Sequence, residues 1–147
     1  MIYNTNLQPL PTNAEELERC LADPVWRIFS GCLYKIKIKG DDFVNELGQV
    51  EEAPTFELPF QPNDAQKKFL NRLWYRNIIL KARQLGFTTL ICILWLDHAL
   101  FNANQHCGVI AQNLETVGDI FSDKIKFAYD NLPPEILERF PLKTNNG

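Results

Sequence analysis

The amino-acid sequence predicts an α/β fold in which a partial parallel sheet follows an N-terminal helical and β-hairpin segment. Two observations lead to this prediction. From residue 62 onward, short apolar segments typical of buried strands alternate with longer segments that have helical periodicity. Before residue 60, two helix-start signals precede an alternating strand pattern. We therefore divide the chain into an N-terminal segment, residues 1–60, and the first half of an α/β domain, residues 61–147.

Composition sets the outer limits of this prediction. The chain has 147 residues, of which 46% are hydrophobic, and this is enough to bury one core. The formal net charge of −3 gives no global attraction to nucleic acid, so any such contact has to be local. The four cysteines form no C-x-x-C pair, and neither a zinc site nor a disulfide framework is expected. The sequence has no signal-peptide pattern and no apolar run near the ~20 residues of a membrane span, so we expect a cytoplasmic chain without membrane contact.

Two short helices are predicted at the start of the chain. The segment Thr12–Glu15 has the spacing of a capping box and predicts a helix over residues 13–21 with the threonine as its N-cap. Asp23 followed by Pro24 is a second helix-start signal, because aspartate caps free N–H groups and proline suits the first helical position. This second helix should extend to about Phe29.

A β-hairpin with a long connection is predicted next. Residues 33–39 alternate apolar and basic side chains, which is the period of a half-exposed strand, and residues 55–60 form a second extended piece. The alternation places Lys35, Lys37 and Lys39 on one face. Two interpretations of this face remain open, a solvated strand surface and a contact surface for DNA phosphates.

A helix, a strand and a second helix are predicted after the hairpin. Asn63 and Gln66 have capping-box spacing and begin a helix with one apolar face, formed by Phe69, Leu70, Leu73 and Trp74. Residues 77–80 then suit a short buried strand. The segment from Thr88 to about Phe101 is apolar all round in its early part, which suits a helix flanked by the sheet and by other neighbours on several sides.

A second strand and a long helix complete the pattern. Residues 107–111 suit a buried strand, and apolar side chains recur at helical spacing from Leu114 to Leu132. Pro133 and Pro134 should end that helix. The order strand, helix, strand, helix is typical of a parallel sheet, but two parallel strands alone are hard to cover. We therefore expect a truncated chain whose missing strands would follow Gly147.

The segment between the first predicted strand and its helix, Lys81–Thr89, resembles a phosphate-binding loop. On the pattern G-x-x-x-x-G-K-[ST], Gly86 and Thr88 are in register, whereas Lys81 replaces the first glycine and Phe87 replaces the lysine. Such a loop directs backbone N–H groups at phosphates, and its hydroxyl side chain coordinates Mg²⁺.

The loop still needs a cation for the phosphates, which phenylalanine cannot supply. Lys81 or Arg83 would have to provide it from the other end of the loop. The alternative is an ordinary turn between a strand and a helix, in which both basic side chains are solvated.

Three motifs together extend this interpretation: residues 60–66 (FQPNDAQ), residues 79–89 (ILKARQLGFTT) and residues 108–113 (GVIAQN). From about Asp23 to Gly147 the sequence resembles the large terminase subunit of tailed bacteriophages, the ATP-driven motor that packages DNA. Loops with the lysine moved to the front are known in that family. The resemblance therefore implies an ASCE-type P-loop sheet.

The resemblance also implies residue roles. Gln66 matches the glutamine that recognises adenine, although a capping glutamine is the alternative. Arg83 matches the loop arginine that is proposed to act in cis on the γ-phosphate. Thr88 matches the residue whose hydroxyl coordinates Mg²⁺. The remaining nucleotide contacts fall on the other loop residues, which are Lys81, Ala82, Gln84, Leu85, Gly86, Phe87 and Thr89.

The implied function is that of the N-terminal ATP-binding part of the packaging motor. In the bacterial host cytoplasm the full-length protein would use ATP and Mg²⁺ and act with double-stranded DNA, a small terminase subunit and a portal, and a homo-oligomer is compatible with this role. The sequence has neither the apolar run ending in Asp-Glu, known as Walker B, nor a nuclease part, so we expect little or no catalysis from this chain alone. The alternatives are another P-loop ATPase of helicase type and a non-catalytic remnant or interaction module.

Overall fold

The computed structural model describes residues 9–40, 43–44, 50–51, 53–80 and 85–142. The helices in these ranges are α1 (Ala14–Ala22), α2 (Pro24–Phe29), α3 (Asp64–Leu70), α4 (Phe87–Phe101), α5 (Leu114–Ile120), α6 (Phe127–Asp130) and α7 (Pro134–Leu137). A π-helical turn, Phe121–Lys126, joins α5 to α6. The strands are β1 (Lys35–Lys39), β2 (Phe43–Val44), β3 (Val50–Glu51) and β4 (Thr55–Pro59).

The first two helices lie where the sequence predicted them. Asp23 caps α2, because its Oδ1 accepts a hydrogen bond of 2.8 Å from the backbone N–H of Val25. The cap of α1 is Asn13 and not the predicted Thr12. The Asn13 Oδ1 accepts from the N–H of Glu15 at 2.9 Å, since an asparagine amide caps at least as well as a threonine hydroxyl and stands one residue nearer.

The predicted hairpin with a long connection is confirmed. Strands β1 and β4 pair antiparallel, with Ile36 opposite Leu58 and Lys39 opposite Thr55. Within the connection, β2 and β3 form a second short antiparallel pair. We refer to the β1 and β4 pair as the ribbon.

The predicted parallel P-loop sheet is wrong for the part of the chain that the structure describes. Both sheets found there are two-stranded and antiparallel, and neither residues 77–80 nor residues 107–111 form a strand. We call these two stretches the apolar irregular segments. Ile78, Leu80 and Ile110 are 91%, 95% and 98% exposed. An apolar run becomes a strand only when a neighbouring strand takes its backbone hydrogen bonds, and no described strand pairs with either segment.

The predicted apolar face of α3 is shorter than expected. The helix ends at Leu70, and Leu73 and Trp74 are exposed. The Asn77 side chain accepts a hydrogen bond of 3.1 Å from the N–H of Trp74 and donates one to the carbonyl of the same residue. An asparagine that bonds the backbone in this way favours a turn over a continuing helix.

The core is built around α4, which packs against α2 and the π-helical turn and not against the predicted parallel sheet. Leu90 and Ile93 have no exposed surface. The core residues from the N-terminal part include Leu17, Leu21, Ile28, Leu33 and Tyr34, and those after α4 include Ala128, Leu132 and Ile136. Residues from both sides of position 60 therefore share one core. Neither α4 nor any other helix in the described ranges is long and apolar enough to cross a membrane.

A buried polar cluster joins the N-terminal helices to α4. The Arg27 guanidinium donates from Nε and Nη2 to the two carboxylate oxygens of Asp97, each at 2.8 Å, and the Tyr34 hydroxyl donates to Oδ1 of Asp97 at 2.7 Å. Arg27 also donates to the Leu21 carbonyl at 2.6 Å. Burial and the neighbouring Asp97 carboxylate raise the pKa of Tyr34 far above its ordinary value, so the hydroxyl keeps its proton.

Candidate functional site

The N-terminus of α4 is the candidate phosphate site, and Gly86 forms its entrance. Gly86 has a positive φ of 68°, and no side chain in the described ranges caps the helix. The first backbone N–H groups of a helix lack intrahelical acceptors, and together with the helix dipole they favour an anion. The geometry at the start of α4 is thus suited to a phosphate group.

Gln66 connects this helix end to α3. It is 4% exposed and belongs to a capping box, in which Asn63 and Gln66 each accept a hydrogen bond of 2.9 Å from the other's backbone N–H. Its Nε2 donates to the carbonyl of Gly86 at 2.9 Å and more weakly to that of Leu85 at 3.4 Å. The amide is occupied by backbone groups in this arrangement. Gln66 therefore holds the end of the loop against α3, and its adenine-reading role stays a prediction.

Glycine is favoured at position 86 for two reasons. The positive φ is unfavourable for a residue with a Cβ. A Cβ added there would also lie 2.9 Å from Nε2 of Gln66, closer than real Cβ atoms approach a neighbour. The hydrogen bond between Gln66 and Gly86 therefore depends on the absence of a side chain.

Phe87 is a core residue. It is 7% exposed, and its ring packs edge to face against Phe69 with 5.6 Å between the centroids. Phe87 stands where the loop pattern has a lysine, and its ring therefore packs α4 against α3. Thr88 is exposed in the first turn of α4, and Thr89 is half-buried beside it.

The structure brings together only part of the predicted site. Gln66 and the residues from Leu85 to Thr89 lie at one helix end. Residues 81–84, which include Lys81, Ala82, Arg83 and Gln84, lie outside the described residues, and their roles stay predictions. Among the residues that are described, no group of three or more His, Cys, Asp or Glu is placed to hold a metal ion. Mg²⁺ binding through Thr88 likewise stays a prediction.

A second polar site lies between the ribbon and the π-helical turn. This groove of about 510 Å³ is lined by Lys37, Lys39, Thr55, Glu57, Asp123 and Lys124. The sequence analysis identified the lysines of β1 but not the residues opposite them. No periodicity signal distinguishes a π-helical turn from the α-helix around it, so Asp123 and Lys124 could not be assigned to a groove from sequence.

The buried cluster of Arg27, Tyr34 and Asp97 was also missed. The sequence nevertheless contains an indication of this cluster, because Arg27 and Asp97 are charged residues inside strongly apolar segments. Charged side chains are almost never fully buried unless they are paired. Two such residues of opposite charge therefore indicate a buried ion pair.

Comparison of the chain with protein-family models, with curated proteins and with solved structures gives no match. The functional interpretation accordingly rests on the residues and geometry described above.

Proposed function

We propose that this chain is the N-terminal ATP-binding part of a large terminase subunit, and that the start of α4 receives the phosphates of ATP. The observation that supports the proposal is the hydrogen bond between Gln66 and the Gly86 carbonyl, at 2.9 Å. It joins two of the three motifs on which the resemblance rests, and it does so at a helix N-terminus that no described side chain caps. A nucleotide contact needs this proximity of the two motifs.

The described residues would bind and orient the nucleotide. The backbone N–H groups of Phe87, Thr88 and Thr89 have no acceptor within the first helical turn, and a phosphate can accept from them. The exposed Thr88 hydroxyl would hold the Mg²⁺ that accompanies ATP. That ion would neutralise phosphate charge.

The displaced cation is the second part of the proposal. Lys81 and Arg83 lie five and three residues before Gly86, close enough in sequence for their long side chains to reach the same phosphates. Arg83 would act on the γ-phosphate, where charge develops in the transition state. In the full-length motor these residues would support ATP hydrolysis coupled to double-stranded DNA, with the small terminase subunit and the portal as partners.

Titration of the chain with a fluorescent ATP analogue and Mg²⁺ tests this function. We expect weak binding that Lys81→Ala reduces by roughly 10-fold or more, because a hydrogen bond to a charged group contributes about 1.5–3 kcal/mol. Lys68→Ala is the matched control, since Lys68 is exposed on α3 and carries the same charge. Phe87→Ala cannot serve as a control, because Phe87 is buried in the core.

Binding that is equal in the Lys81→Ala and Lys68→Ala variants would contradict the assignment of the displaced cation. No binding at millimolar nucleotide would contradict the function itself and favour the alternative of a non-catalytic interaction module. The observation that favours this alternative is the exposure of Ile78 and Leu80, which lie two residues apart, because neighbouring exposed apolar side chains can mark an interaction surface.

A further inference from the structure

Exposed apolar side chains are concentrated in the residues that follow α3. Leu73, Trp74 and Tyr75 are exposed, and Ile78 and Leu80 come shortly after them in the sequence. The rings of Trp74 and Tyr75 contact each other, with 5.5 Å between their centroids. A single exposed apolar residue needs no explanation, whereas a concentration of them with exposed aromatic rings is typical of an interaction surface. We refer to residues 72–80 as the exposed segment.

The backbone of residues 77–80 has no hydrogen-bond partner within the described ranges. Neither its N–H groups nor its carbonyl groups bond another described residue. The side chains alternate in burial, because Ile79 packs against the core while Ile78 and Leu80 on either side of it are exposed. An edge strand presents the same combination of alternating side chains and free backbone groups to a further strand. The end of the exposed segment is therefore suited to pair with an extended chain.

The exposed segment and α3 carry positive charge. Residues 64–80 contain four basic residues, all of them exposed, and one acidic residue, Asp64. The Asp64 carboxylate lies 3.9 Å from Nζ of Lys67. No described carboxylate forms an ion pair with the other three, which are Lys68, Arg72 and Arg76. Four basic residues against one acidic residue leave this stretch at +3, whereas the whole chain has a net charge of −3.

The side chains, the backbone and the charge together favour one class of partner. A lipid surface could receive the aromatic and basic side chains, but it offers no partner to free backbone N–H and carbonyl groups. A second copy of the exposed segment could pair with the backbone, but it would bring like charges together across the pair. An extended peptide with an apolar centre and acidic ends satisfies the backbone, the apolar side chains and the charge at the same time. This is the recognition mode in which a peptide adds a strand to an exposed edge.

We propose that the exposed segment is a docking surface for an extended acidic peptide of a partner protein. The backbone of the peptide pairs with residues 77–80, and its apolar residues pack beside Ile78 and Leu80. Its carboxylates lie against Arg72 and Arg76. The surface does not include the start of α4, so the proposal does not depend on nucleotide binding.

The test is fluorescence anisotropy with a labelled octapeptide that has a central Val-Ile-Val-Ile segment and two glutamates at each end. We expect saturable binding to the chain at about 0.15 M salt, where distant surface charges are screened. Replacing Arg72 and Arg76 together by glutamate should weaken binding roughly 10-fold or more, because ion pairs become like-charge contacts. The matched control makes the same change of charge at Arg19 and Lys35, which are exposed outside this surface, and should leave binding nearly unchanged.

A second octapeptide with the same centre and lysines in place of the glutamates separates recognition from folding. The unaltered chain should bind it roughly 10-fold more weakly than the glutamate peptide, because the charges no longer match. The double glutamate variant should bind the lysine peptide more tightly than the unaltered chain does. A loss of folding would not produce this exchange of preference.

Ile78→Pro tests the pairing of the backbone. Proline removes an N–H group and interrupts a strand, so affinity for the glutamate peptide should fall roughly 10-fold or more. The Ile78 side chain is exposed, so the substitution leaves the core intact. Ile110→Pro is the matched control in the other apolar irregular segment and should bind the peptide normally.

Absence of binding at millimolar glutamate peptide would overturn the proposal. Equal weakening by the paired charge or proline substitutions, or no exchange of preference between the two peptides, would overturn it as well. Binding to phosphatidylserine vesicles without binding to the peptide would do so in favour of a lipid surface. Self-association that Ile78→Pro abolishes, again without peptide binding, would do so in favour of a second copy.

Discussion

Two isoleucines of the apolar irregular segments and two aliphatic residues of the core around α4 are similar side chains in opposite environments. Leu90 and Ile93 are completely buried, whereas Ile78 and Ile110 are 91% and 98% exposed. Helix α4 satisfies its own backbone hydrogen bonds and can be covered from several sides by whichever elements are near. A strand needs a specific neighbour, and neither segment has one among the described residues. Apolar content alone therefore does not determine burial, since burial also depends on a partner for the backbone.

The largest effect should come from the buried ion pair. Asp97→Asn leaves the Arg27 charge enclosed without its carboxylate partner, and removal of one member of a buried pair costs about 3–5 kcal/mol. Asp123→Asn breaks an exposed ion pair and should change the free energy of unfolding by about 1 kcal/mol or less. Urea denaturation of both variants measures the difference. Equal destabilisation would show that Asp97 does not hold the core together.

A matched pair of isoleucine substitutions compares the two regions directly. Ile93→Ala removes buried methylene groups and leaves a cavity, at a cost of about 2–5 kcal/mol. Ile110→Ala removes the same atoms from an exposed position and should cost about 0.5 kcal/mol or less. Thermal unfolding followed by circular dichroism gives both values. A large loss for Ile110→Ala would mean that its segment is buried in solution.

The smallest effect concerns alkaline pH. Because burial and Asp97 raise the pKa of Tyr34 in the folded protein above the unfolded value of about 10, its stabilising contribution is complete below pH 10. The contribution is lost as pH rises further, by about 1.4 kcal/mol per pH unit once the unfolded chain ionises. Tyr34→Phe should remove this slope between pH 10 and 11 in urea titrations. Tyr75→Phe, in the exposed part of the chain, is the control and should retain the slope.

The parts of the fold that follow from local chemistry were predictable. Asp23 with Pro24 predicted the start of α2, and the alternation of residues 35–39 predicted β1. The apolar segment from residue 88 predicted α4. The prediction of a parallel sheet was wrong because periodicity describes one segment at a time and does not show whether a neighbouring strand is present to pair with it.

Less of the candidate site could be obtained from the sequence. The resemblance assigned Gln66 and Gly86 to one nucleotide site, and this role stays a prediction, whereas the hydrogen bonds from the Gln66 amide to backbone carbonyls depend on tertiary packing. The burial of Phe87 against Phe69 depends on packing in the same way, and no spacing rule contains it. The groove beside β1 could not be predicted because one of its walls is the π-helical turn, which has no sequence signature of its own.

The ion pair between Arg27 and Asp97 spans 70 residues of sequence, and this has a consequence for the protein during its synthesis. At ~5–20 residues per second, a ribosome that has just added Arg27 needs roughly 4–14 s to reach the partner aspartate. Throughout that interval Leu17, Leu21 and Ile28 lack the α4 surface that later covers them. The core of the nascent chain therefore cannot close until α4 has been synthesised.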